Sequence, residues 1–193
     1  MDRATRLRVV GLVAVVVVVA IAVILLYAVG VLVPKTSAVA PGPLPRTYVN
    51  LTITYDPSSG IANYSTPFIS MVAHTLIVVT ITSHDPTASS LFVPWDNHVI
   101  GTVGGNETIN CGSGPRTVSV LPANDIAHTF TVLDSYYNVS VPIPPATSAS
   151  VPCVVTFQLE LNYSEMTTWG CVANCDNGQM AAGRMWGLLL ISG

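Results

Sequence analysis

The hydrophobic pattern changes once along the chain. From Val9 to Val33 the residues run "VVGLVAVVVVVAIAVILLYAVGVLV" without a charge, whereas from Tyr48 onward apolar and polar residues alternate in short β-branched runs. The first pattern predicts a helix, which at about 1.5 Å per residue would reach roughly 37 Å, enough to cross a bilayer with some tilt. The second predicts strands at "YVNLTITY" (48–55), "HTLIVVTIT" (74–82), "RTVSVL" (116–121), "HTFTVL" (128–133), "CVVTFQLEL" (153–161) and "WGLLLIS" (186–192). Period two, strong β-propensity and frequent turn residues between the runs describe an all-β sandwich. No segment of helical period and useful length follows the apolar run, and "PIPPATSASVP" (142–152) reads as a long surface connection because its prolines exclude a central strand.

Between the two patterns lies "PKTSAVAPGPLPRT" (34–47), rich in Pro and small residues, which reads as a semi-rigid tether. Arg3, Arg6 and Arg8 precede the apolar run and only Lys35 follows it closely. The positive-inside bias therefore leaves residues 1–8 in the cytoplasm, makes residues 9–33 a single-pass transmembrane anchor and puts residues 48–193 outside the cell membrane as one domain. The rival reading is a cleaved signal peptide, since "AVA" at 38–40 resembles a cleavage site. The apolar run is much longer than the ~7–15 residues such a peptide uses, which favours the anchor.

Charge narrows the function. The formal net charge is −3, and beyond the tether Arg116 and Arg184 are the only lysines or arginines, so there is no basic patch for nucleic acid. Few ionised groups also imply a surface whose chemistry, and stability, stay flat over a wide acidic pH range. Asn-X-Ser/Thr triplets at Asn50, Asn63, Asn106, Asn138 and Asn162 are candidate glycosylation sites for an external domain.

The candidate chemistry sits in "WGCVANCDNGQMAAGRM" (169–185), just before the terminal strand. Cysteine and methionine are soft ligands suited to copper, and histidine supplies an imidazole; together they build electron-transfer copper sites. Cys171, Cys175 and Met185 share this loop, and His128 opens an earlier strand from which a sandwich can lean it over the loop.

The order "LPANDIAHTFTV", "NVSVPIPPA", "VTFQLELNYSEMTTWGCVANCDNGQMAAGRMWGLLLIS", with "FVPWDNHVIGTVGG" (92–105) upstream, resembles the cupredoxins, and most the archaeal and bacterial members related to subunit II of haem–copper oxidases. The resemblance implies a Greek-key β-sandwich, one or two copper ions, and a place in electron transfer to or within a respiratory complex. The implied partners are the membrane, respiratory-complex subunits or another redox protein. The family's binuclear motif runs Cys, three residues, Cys, three residues, His, two residues, Met, with a further His from the earlier strand. Carried over, that earlier histidine is His128 and the cysteines are Cys171 and Cys175. The loop histidine falls on Gln179 and the methionine on Ala182, so the methionine's role passes to Met185 or Met180.

Three readings of the loop are open. Copper binds through His128, Cys171, Cys175 and Met185, with Gln179 offering an amide oxygen; or the sulfur-rich set handles Cu(I); or the site is degenerate, with a Cys171–Cys175 disulfide in a metal-free structural or accessory subunit. His98 in "WDNHVI" is the candidate for a missing second imidazole, while His74 and His84 read as surface or turn residues. Cys111 and Cys153 are left over and, in an oxidising compartment, are expected to form a disulfide. Neither Asp125 with Asp176 nor any Ser/His/Asp set forms a catalytic constellation, so the chain is expected to act as a carrier, or as a subunit of a terminal oxidase, rather than as an enzyme alone.

Overall fold

Alternation becomes burial in the strands. Along β1 (Arg46–Asp56) Leu51 and Ile53 turn inward between exposed Asn50 and Thr54, and along β4 (Leu76–Ser83) every second residue is buried. The computed structural model describes residues 42–91, 97–133, 135–174 and 184–193; the expected transmembrane span and most of the tether lie outside them. β1 starts two residues before Tyr48, and Arg46 and Thr47 already pair with Leu76 and Ile77. The remaining strands are β2 (Ile61–Tyr64), β3 (Phe68–Val72), β5 (Ser90–Leu91), β6 (Glu107–Asn110), β7 (Arg116–Val118), β8 (His128–Leu133), β9 (Val139–Ile143), β10 (Cys153–Glu160), β11 (Glu165–Gly170), β12 (Ala173–Asn174) and β13 (Trp186–Ser192).

They form a six-stranded sheet in the order β2-β1-β4-β10-β6-β7, a five-stranded sheet in the order β3-β13-β11-β8-β9, and a short β5–β12 ladder. β1 runs parallel to β4 and β3 parallel to β13; the other pairings are antiparallel. The chain passes from one large sheet to the other at β2–β3, β3–β4, β7–β8, β9–β10 and β10–β11. Side chains of both sheets share one core, in which Ile77, Val79 and Phe157 meet Phe130, Trp169 and Leu189. Ring contacts tie the layers: Phe130 lies 5.6 Å from Phe157, and 5.6 Å from Trp169, on which it stacks.

One flank is bridged. His98 pairs with Val120 at the edge of the larger sheet, and two residues on Ile100 exchanges hydrogen bonds of 2.8 and 3.1 Å with Ser140 of β9. Gly101 follows with φ 74°, and a side chain there would come within 2.2 Å of the Asn138 carbonyl oxygen. Only glycine tolerates both the angle and the approach.

The segment 142–152 departs from the expected surface connection at its start. Pro142 and Ile143 complete β9 opposite Thr129 and His128, and Pro142, Ile143, Pro144 and Ala146 are buried. β9 is the edge of its sheet, where a residue lacking an N–H costs no ladder bond on the open side. Residues 147–151 form the exposed part of the connection, apart from a half-buried Ser148. The expected disulfide is present: Cys111, just after β6, joins Cys153 at the start of β10. These strands are direct neighbours, so the bridge closes a loop of 42 residues beside an existing ladder.

Glu107 is the charged group that the pattern did not anticipate inside. It faces the interior from β6 at 1% exposure, and neither carboxyl oxygen has a hydrogen-bond partner among the described residues. Burial pushes its pKa up to about 8, against the pull of the Arg116 charge. The folded protein therefore holds a proton there that the unfolded chain releases near the ordinary value of 4.5. Since the folded state binds more protons between these values, stability is fully present below the lower one and declines as pH rises through the upper one. Through this group stability is expected to fall as pH rises from about 4.5 to about 8, rather than to stay flat. We expect thermal unfolding of the wild type to occur at higher temperature at pH 5 than at pH 8. Glu107→Gln, which copies the protonated form, should shrink the difference to the part that the raised pKa of His128 contributes above pH 6.5 and gain about 3–5 kcal/mol above pH 8; an unchanged pH profile in the variant would contradict this placement. The bridge gives a separate expectation: Cys111→Ser with Cys153→Ser should lose about 4 kcal/mol for a loop of this length, measured by urea unfolding. Peptide mapping of the native protein should recover the two cysteines linked.

Candidate metal centre

The register of the smaller sheet decides which residues meet. β11 lies between β8 and β13, antiparallel to both: Gly170 sits opposite Thr131 on one side and Trp186 on the other. The end of β11 therefore abuts the beginnings of its two neighbours. Cys171 follows β11, His128 begins β8 and Met185 immediately precedes β13, so three residues distant in sequence arrive at one end of the sandwich. The Cys171 amide donates to the Met185 carbonyl at 2.8 Å, which extends the ladder one step into the site.

Thr129 holds the cysteine from the other side. Its backbone N–H donates to Cys171 Sγ at 3.4 Å, its Oγ1 accepts from the Val172 amide at 2.8 Å, and its carbonyl accepts from the Tyr64 hydroxyl at 3.0 Å. Tyr64 in turn stands edge-on to Trp169 with ring centroids 4.7 Å apart. Trp169, Cys171 and Met185 are fully buried, so water is excluded from the sulfur. An amide donating to a ligand sulfur tunes any metal it binds.

His128 completes the pocket and is itself buried, at 1% exposure. Its Nδ1 faces Cys171 Sγ at 3.9 Å, while Nε2 lies 2.8 Å from Oδ2 of Asp85. Burial alone would pull the imidazole below its usual pKa; hydrogen bonds to Asp85 and Cys171, with their charges, outweigh it and push the ring up to about 9. Burial works to raise Asp85, yet the hydrogen bonds from His128 and from Thr87 hold its carboxyl below the ordinary aspartate range. Metal entering at Nδ1 would have to displace a proton, so uptake should be favoured by higher pH.

Of the residues expected at the site, His128, Cys171 and Met185 are brought together. Cys175, Gln179 and Met180 lie outside the described residues. His98 is exposed and pairs through its backbone with Val120, and among the described residues no three His, Cys, Asp or Glu side chains converge as a metal-holding set. His74 occupies an exposed turn with φ 58°, and His84 bonds the Ala149 carbonyl at 3.2 Å, in keeping with their reading as surface and turn residues. Asn50, Asn106, Asn138 and Asn162 are exposed, and Asn63 on β2 is half-buried. Sequence reasoning missed Asp85, Thr129 and Tyr64. Asp85 sits in "SHDPTASS", a turn-like string whose only local signal is the Asp-X-Thr spacing. Its partner lies 43 residues away.

No family model matches the chain, and no curated protein matches it. Among solved structures the chain is similar to a multicopper oxidase from Campylobacter jejuni, at 7% identity and a TM-score of 0.45, over 80% of this chain and 31% of that one. It is similar to rusticyanin from Thiobacillus ferrooxidans at 12% identity and a TM-score of 0.41, covering 76% of this chain and 77% of that one. A subunit of a heme-copper terminal oxidase dimer is similar at 14% identity and a TM-score of 0.35, over 98% of this chain and 100% of that one. The chain thus spans less than a third of the Campylobacter jejuni oxidase.

Proposed function

We propose that this chain is a membrane-anchored, extracytoplasmic copper protein that carries electrons to or within a respiratory complex. The observation that carries the reading is the placement of His128 Nδ1 opposite Cys171 Sγ at 3.9 Å in a pocket closed to water. Metal–nitrogen and metal–sulfur bonds of about 2.0 and 2.3 Å, as for zinc, sum to more than this gap, so one ion can bond both atoms. The residues present therefore fit a soft-ligand site. His128 would supply nitrogen and Cys171 sulfur, with Met185 buried beside them and Cys175 and Gln179 contributed by the loop. Copper bound there would supply a one-electron couple. The protein's own part is to hold the donors rigid, to keep water out and to direct the Thr129 amide at the sulfur, so that little rearrangement accompanies a change of charge.

A second reading, a metal-free docking module, is favoured by a different feature. On the outer face of the smaller sheet Leu188 lies opposite Phe68 and Leu190 opposite Met166, and all four are exposed. Such an apolar face suits contact with another subunit.

One preparation separates the two. The full-length chain, purified in detergent and exposed to Cu(II), is expected to retain stoichiometric copper with intense thiolate-to-copper absorption, and the paramagnetic hyperfine pattern should tell one ion from two. Cys171→Ser should abolish the absorption and His128→Ala should weaken copper retention. Absence of copper together with a Cys171–Cys175 disulfide would overturn the copper reading in favour of the docking module.

A further inference from the structure

Asp85 is fastened on every side. Its Oδ1 accepts from the Thr87 amide at 2.8 Å and from the Thr87 hydroxyl at 2.5 Å, and its Oδ2 faces His128 Nε2 at 2.8 Å. Its carbonyl accepts from the Ala146 amide at 2.7 Å. The same turn is pinned again where the Ser89 amide donates to Ile126, two residues before His128, at 2.7 Å. At 1% exposure the carboxylate cannot swing out to solvent without breaking these bonds. Burying an ionised pair seldom adds stability over a well-packed apolar pair, so its presence calls for another explanation.

That explanation follows from donor and acceptor inventory. An ionised carboxylate only accepts hydrogen bonds, so Nε2 of His128 must carry the proton and donate it to Asp85. The other nitrogen, Nδ1, is then the one turned toward Cys171. We propose that Asp85 is a positioning residue that holds the Nε2 proton and the orientation of His128, so that Nδ1 is the nitrogen that gives up its proton to the copper site, and that its charge sets the reduction potential of that site. The tuning half rests on the copper reading above; the ring-holding half stands on the metal-free protein. A carboxylate hydrogen-bonded to a ligand imidazole makes the ring a stronger donor, which favours the more highly charged oxidised metal. The potential is therefore lower than the same donors would give with a neutral partner.

Two variants of the full-length chain test this. Asp85→Asn keeps an acceptor oxygen and removes the charge; Asp85→Ala removes both. In metal-free wild type, nitrogen-15 magnetic resonance should show a protonated, exchange-protected His128 Nε2, and Asp85→Ala should lose that protection. In the copper-loaded protein, Asp85→Asn should shift the potential upward with copper still bound, and Asp85→Ala should cost about 10–100-fold in copper affinity. A purely structural carboxylate would leave the potential of Asp85→Asn unmoved, and that result would overturn the tuning role. An unprotected or unprotonated Nε2 in wild type would overturn the ring-holding role. Wild type that binds no copper would overturn the copper reading and with it the tuning role, while the Nε2 measurement still decides the other half.

Discussion

The pairing of β11 with β8 on one side and β13 on the other is the constraint on which the site depends. Because both ladders are antiparallel, the end of β11 can have only the starts of its neighbours beside it. A slip of one residue would turn Cys171 to the opposite face, since side chains alternate with period two. Register here is held by fully buried side chains of the central strand and its partners, with Trp169 clamped between Tyr64 and Phe130. The aromatic core thus does for the sulfur what a covalent link would do elsewhere: it leaves one position open to it.

Around that sulfur the polar groups form a single connected set. Tyr64 bonds Thr129, Thr129 bonds Cys171 and Val172, His128 faces Cys171, and Asp85 holds His128 and is held by Thr87. Buried polar groups are tolerable when each finds a partner, and a set satisfied in this way is rigid. Glu107 is the contrast. Its carboxyl oxygens find no partner among the described residues, so the group avoids the cost of burial by keeping its proton. Two buried acids in one sandwich are therefore driven to opposite charge states by what surrounds them.

Legibility of the fold follows the length and regularity of each run. β8 and β13 have the bounds their alternation predicts, and β1, β4 and β10 differ by a residue or two at the ends, where pairing partners rather than composition set the limit. β2 and β6 are four residues long, too short for a period to stand out, and β9 is hidden by Pro142, which only an edge position permits. In the site, His128 and Cys171 were visible as donor types in a suggestive order, and the Cys111–Cys153 bridge as the pair left over. Asp85 was not visible, because in sequence it is one more polar residue in a turn.

What the sequence by itself determined is what depends on near neighbours along the chain: the uncharged run from Val9 to Val33, the alternation that makes strands, the glycines and prolines that end them, and the stock of soft donors gathered close to one terminal strand. The tertiary structure decided which of those donors meet, that a carboxylate stands behind the histidine, that His98 stays at the surface and that Glu107 loses its charge. These are set by groups distant along the chain, 43 residues for Asp85 with His128 and for His128 with Cys171, or by removal from water, and neither quantity is written in any local stretch of residues.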